Sequence, residues 1–198
     1  ESVKNYFFWS IENSGIFPST TKECLTAKNL YINDKEITDI AGKYLPVFDF
    51  DEPLPDEWRT LLPFKDKLEL SDYLTVLEKI AEQTEEDEIL RKYNRKKIGL
   101  IFNKLASLLP NFSEEKKEAI KNWASESKLL SANGKFENAN QLKWIKIDGF
   151  TSASEKLKII QLPENCDINS KSFEELISLF QVQIIDKFIP TLKKKKKD

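Results

Sequence analysis

Lys128-Leu129-Leu130-Ser131-Ala132-Asn133-Gly134-Lys135-Phe136-Glu137-Asn138-Ala139-Asn140-Gln141-Leu142 restates, 112 residues on, the stretch Ile16-Phe17-Pro18-Ser19-Thr20-Thr21-Lys22-Glu23-Cys24-Leu25-Thr26-Ala27-Lys28-Asn29-Leu30. Ser131 answers Ser19, Ala139 answers Ala27 and Leu142 answers Leu30, with no gap between them. An apolar start, a polar middle and an Ala-x-x-Leu end read as strand, turn, strand and a single helical turn. Asn133-Gly134 is a strong two-residue hairpin signal, because both residues tolerate positive φ. Thr21-Lys22 in the first copy matches poorly and predicts a longer or looser turn. Cys24 and Phe136 are expected to be buried on the return strands. Thr26 and Asn138 are good helix N-caps, and Ala27 with Leu30, like Ala139 with Leu142, share one helical face. Duplicated units point to repeat architecture, in which each unit leans on its neighbours.

Working outward, the helices on either side are legible. Residues 2–15, with Tyr6-Phe7-Phe8-Trp9, predict a helix ending near Gly15 and leading into the first copy. Ser113 caps a helix carrying Ala119, Ile120, Trp123 and Ala124 that leads into the second copy. The repeat is thus expected over 2–33 and 113–145. Between the copies lie an irregular segment with a short helical piece from Ile37 to Phe50, and a Pro-rich loop over 51–64 anchored by Trp58, Leu61, Leu62 and Phe64. A helix capped by Ser71 follows, with Leu74, Leu77, Ile80 and Ala81 on one face. A longer one, from about Glu86 to Leu109, has Ile98, Ile101, Phe102, Leu105 and Leu108 at helical spacing and stops at Pro110. Beyond Leu142, 143–147 and 157–162 read as strands. Ser172-Phe173-Glu174-Glu175 reads as a capping box opening a last helix through Ile184. Residues 193–198 form a lysine tail, expected to be disordered. The fold class is α+β and helix-rich, with two copies of a short strand-turn-strand-helical-turn unit, in one compact module over 1–192.

Composition narrows the chemistry. The 198 residues are 40% hydrophobic and 32% charged with a net charge of −2, the profile of a globular chain with no general pull on nucleic acid. No apolar run spans a membrane, and a cytoplasmic location is expected, with both cysteines reduced and buried. Histidine is absent, which removes Ser-His and Cys-His pairs and most zinc sites. Methionine is absent too and the chain begins at Glu1, so a piece of a longer polypeptide is expected. No phosphate-binding glycine loop occurs. No catalytic residue, cofactor or metal is therefore assigned. A third and weaker alternative is a metal-dependent enzyme using Asp49, Asp51, Glu52 and Asp56, which lack the ligand spacing of a calcium loop.

Two candidate surfaces remain. Arg91, Lys92, Arg95, Lys96 and Lys97, with Tyr93 among them, form a basic segment that could contact nucleic acid. Glu88 stands four residues before Lys92, an arrangement that supports a helix without any ligand. Tyr6, Phe7, Phe8 and Trp9 cannot all turn inward from one helix, and so predict an interaction surface.

The run Leu45-Pro46-Val47, then Trp58, then Phe64 to Leu77 with its Leu68-x-Leu70-x-Asp72-Tyr73-Leu74 helix start resembles the non-ATPase repeat regions of sacsin and NO VEIN-like proteins. The second copy's Leu130-Ser131-x-x-Gly134-x-Phe136-x-x-Ala139-x-x-Leu142 carries the same likeness, which covers residues 15–145. The resemblance implies a chaperone-like or scaffolding segment beside a heat-shock-chaperone-type ATPase domain, or a bacterial defence protein. This chain has no Asp-x-Gly-x-Gly, so no ATP-site residue is carried over. The expected function is a non-catalytic structural or interaction module of a larger ATPase-containing protein, whose partners are the rest of its own polypeptide or another protein. The alternative is a nucleic-acid-binding module using 91–97.

Overall fold

A serine hydroxyl organises each copy of the duplicated stretch. Ser19 Oγ donates to Glu23 O at 2.8 Å, and Ser131 Oγ donates to Lys135 O at 2.6 Å. Both serines are buried. Each closes the same five-residue turn, with backbone bonds Ser19 N to Glu23 O and Ser131 N to Lys135 O. The computed structural model that shows this describes residues 2–50, 52, 54–82, 88–146, 157–163 and 166–186. It divides into two compact units, Glu1–Leu108 with Pro163–Cys166, and Leu109–Leu162 with Asp167–Asp198. One copy of the repeat lies in each.

Unit 1 runs α1 (Ser2–Asn13), β1 (Phe17–Pro18), β2 (Cys24–Leu25), a 3-10 turn (Ala27–Asn29), α2 (Lys35–Ala41), α3 (Asp56–Leu61), α4 (Leu70–Glu82) and α5 (Glu88–Leu108). β1 and β2 pair antiparallel, Phe17 opposite Leu25. Ser19 bridges antiparallel to Phe48, while Tyr31 bridges parallel to both Val47 and Lys65. α2, α4 and α5 pack together. They bury Ile37, Ile40, Leu74, Leu77, Ile80, Ile101, Phe102 and Leu105. The apolar spacing of α4 and α5 is what directs those residues inward.

Unit 2 repeats the first half of this plan. It runs α6 (Glu114–Glu126), β3 (Lys128–Leu130), β4 (Phe136–Asn138), a 3-10 turn (Ala139–Gln141), β5 (Lys143–Ile145), α7 (Lys171–Leu179) and β6 (Gln183–Ile185). Leu129 pairs with Glu137, the counterpart of Phe17 with Leu25. The offset of 112 holds far past the quoted stretch. Ser131 bridges Ile160 as Ser19 bridges Phe48, and Lys143 bridges Ile159 as Tyr31 bridges Val47. α1 and α6 begin at the same offset. Further on the offset becomes 118: Lys143 pairs parallel with Gln183 as Tyr31 does with Lys65. Leu62 N donates to Trp58 O, and Phe180 N to Leu176 O, at that same spacing. α3 and α7 are therefore counterparts, each leading into the parallel strand that closes its sheet.

Several local expectations are corrected. The first turn is no looser than the second: Lys22 takes φ 68° where Gly134 takes 81°. Thr26 and Asn138 occupy N-cap positions, yet neither side chain makes a cap bond. A three-residue turn leaves few free N–H groups to cap. Thr26 Oγ1 is buried with no hydrogen-bond partner among the described residues. Ala27 and Ala139 are both fully buried, as expected. Cys24 is exposed and Cys166 and Phe136 are half-buried, not buried. Burial is still enough to push the Cys166 thiol up to about 11. Residues 56–61 form a helix instead of a loop, because two carboxylates sit in its first turn behind Pro55. Ser71 lies inside α4, where Asp72 instead reaches back to Glu69 N at 2.7 Å. α7 is capped by Ser170, not Ser172, and Ile184 belongs to β6. The lysine tail lies outside the described residues.

Candidate interaction surface

α1 and α6 occupy the same place in the repeated plan but differ in what they turn outward. On α1, Tyr6 is 69% exposed, Phe7 58% and Trp9 59%. Phe8, the fourth member of the aromatic run, is half-buried. Tyr6 and Trp9 stack with ring centroids 6.1 Å apart, which joins them into one apolar patch. At the corresponding positions α6 carries Glu118, Ala119 and Lys121, with Lys121 paired to Glu118 at 3.2 Å. The counterpart of Phe8 is Ile120, which is fully buried. The repeated plan tolerates charge at these outward positions, so folding does not require aromatic rings there.

α3 and α7 show the same contrast. In unit 2 α7 packs on α6. Leu176 and Phe180 are fully buried, Leu179 nearly so, and the Trp123 and Phe180 rings meet at 5.8 Å. In unit 1 the counterparts of Leu176 and Leu179 are Trp58 and Leu61, both exposed. α3 buries none of its residues, and only Leu62 just beyond it is buried, with Phe64 half-buried. Of the expected anchors, Trp58 and Leu61 therefore do not anchor. Ile16 and Phe50 are exposed as well. Phe50 stacks at 5.8 Å on Phe48, whose ring also meets Phe17 and Phe64. Among the described residues, the large hydrophobic side chains that are exposed lie in unit 1.

In the basic segment the cations differ in their surroundings. Lys97 is buried. Its ammonium donates to the carbonyls of Asp39 and, at 2.8 Å, Ile40, at the C-terminal end of α2. Its charge there opposes the negative end of the helix. Burial pushes it down to about 8, against the pull of Asp39 in the other direction. Tyr93 lies 5.0 Å beneath the same ammonium. Asn94 is buried and its Oδ1 accepts from Tyr44 Oη at 2.7 Å. Arg95 and Lys96 remain exposed. The side chains of Arg91 and Lys92 lie outside the described residues.

A groove of about 400 Å³ opens beside the Tyr31–Lys65 bridge, lined by Lys67, Glu69 and Asp72 among others. Lys65 Nζ stands 4.9 Å from the Tyr31 ring. Burial, then Asp72, hold the Tyr31 hydroxyl above its usual range, so it stays protonated and offers no base. Among the described residues no three His, Cys, Asp or Glu side chains gather as a metal site, and no helix is long and apolar enough to cross a membrane. Of the acidic run, Asp51 lies outside the described residues.

Comparison of the chain with protein-family models, with curated proteins and with solved structures finds no match.

Proposed function

We propose that this chain is a non-catalytic interaction module that presents the exposed apolar residues of α1 and α3 in unit 1 to a protein partner. One observation carries the reading. The same unit occurs twice, and positions closed by packing or covered by charge in unit 2 are open and apolar in unit 1. An unpartnered apolar face of this kind marks an interaction site. The sequence likeness to the non-ATPase regions of sacsin and NO VEIN-like proteins supports a place beside an ATPase in a larger polypeptide. The sequence holds no glycine-rich phosphate loop, and titration calorimetry with magnesium ATP is expected to give no binding heat; a micromolar site would overturn the non-catalytic part. The nucleic-acid alternative loses Lys97, whose ammonium faces the end of α2.

The internal duplication supplies the control for the main test. A photo-cross-linking residue placed at Trp9 should trap a second protein in cells that make the full-length parent. The same residue at Lys121, the equivalent exposed position of unit 2, should not. Equal trapping at both positions, or none at Trp9, would contradict the proposal.

A further inference from the structure

The occupant of that face can be specified from charge, in an inference that rests on the docking reading above. In unit 2 α7 carries Glu174 in its first turn and Glu175 directly after it. Glu174 pairs with Lys146 of the strand segment after β5 at 2.7 Å, and Glu175 pairs with Lys117 of α6 at 2.8 Å. The counterparts of these carboxylates in unit 1 are Asp56 and Glu57, in the first turn of α3. The counterparts of the two lysines are Asp34 and Asn5. Asp34 is already committed, because its side chain accepts from Ile37 N at 2.9 Å as the cap of α2. Unit 1 has thus kept the acidic pair and lost both cations. Asp56 and Glu57 are exposed and make no ion pair among the described residues. The helix dipole accounts for acidic residues at the start of both helices. It does not account for the loss of their lysines together with the exposure of the apolar residues that follow them, Trp58 and Leu61.

We infer that the face is completed by an amphipathic helix with basic flanks, supplied by a partner protein. Its apolar stripe covers Trp58 and Leu61, and its Lys or Arg side chains give Asp56 and Glu57 what Lys146 and Lys117 give in unit 2. Here an amphipathic helix docks by its apolar stripe, with the charge of the flanks setting selectivity and not bulk affinity.

The test uses the whole chain and two designed amphipathic peptides with the same leucine stripe, one flanked by Lys and Arg and the other by Glu. Fluorescence anisotropy should show the basic peptide binding about tenfold more tightly, with the advantage shrinking as salt rises. The shape-conserving variant Asp56→Asn with Glu57→Gln should remove that preference. Trp58→Ser with Leu61→Ser should weaken both peptides alike. Equal binding of the two peptides by the native chain, or a preference that survives Asp56→Asn with Glu57→Gln, would overturn the basic-helix inference and leave the docking face standing. Binding of neither peptide, or sedimentation showing that a second copy of the chain covers Trp58 and Leu61, would overturn it and take the docking to a separate protein with it.

Discussion

Lys97 shows how one side chain can change what a segment is for. Its ammonium is withdrawn from solvent and placed on the carbonyls of Asp39 and Ile40 at the end of α2. Lys97→Met should cost about 2 kcal/mol, the scale of hydrogen bonds made by a charged group. The pH dependence has a definite sign. The folded value is pushed down to about 8 from the ordinary 10.5. Between these values the unfolded chain binds more protons, so this lysine makes stability rise with pH from about 8 to about 10.5. The neutral amine retains donors for both carbonyls. The stability gap between native protein and Lys97→Met, measured by denaturant unfolding, should therefore widen from pH 7.5 to pH 10. A narrowing gap would mean that the fold prefers the charged form. Spacing alone marks this position as one more cation in a basic run, because the carbonyls it meets lie far away along the chain. Lys22 makes a second residue-scale case. It holds a left-handed conformation that glycine holds in the other copy. Lys22→Gly should stabilise the protein by about 0.5 kcal/mol, and Gly134→Ala should destabilise it by about 1 kcal/mol.

Among the elements, the hairpin and its serine recur most closely. Ser19→Ala and Ser131→Ala each remove a buried hydroxyl that closes a turn. Each should cost about 1–2 kcal/mol, with hydrogen exchange quickening mainly around the altered hairpin. A loss confined to one copy would mean that the two turns are not equivalent. The duplication is legible because Ser, Ala and Leu at fixed spacing are demanded by turn closure and by a 3-10 turn whose alanine and following leucine are fully buried. Its full extent is not. In unit 1 the sheet is completed by single bridges at Phe48 and Lys65, which leave no strand-length pattern to read. α3 was missed because three prolines in its neighbourhood read as loop, while its helical signal rests on six residues. The caps at Ser71 and Ser172 misled for a related reason. Several serines and acids stand close together, and only the surrounding packing decides which of them opens the helix.

At the scale of the whole molecule, two units share a plan and differ in closure. Unit 2 joins α6 to α7 through a buried apolar contact and two lysine–carboxylate pairs that tie α7 to α6 and to the segment after β5. Its buried residues, among them Ile120, Leu142, Trp144, Phe173 and Leu176, make a core of its own. Residues 109–198 expressed alone should therefore unfold cooperatively; a non-cooperative transition would show that the unit depends on the rest of the chain. Unit 1 carries a helical layer of α2, α4 and α5 in addition, but leaves α1 and α3 with exposed rings. Four aromatic residues in a row announced part of that surface in the sequence. The contribution of α3 could be seen only after its counterpart in unit 2 was known. The central claim is this asymmetry between matched positions, and hydroxyl-radical footprinting of the free chain tests it most directly. Tyr6, Trp9, Trp58 and Leu61 should be oxidised readily, while Ile120, Leu176 and Leu179 stay protected. Protection of Trp58 and Leu61 equal to that of Leu176 and Leu179 would contradict the account.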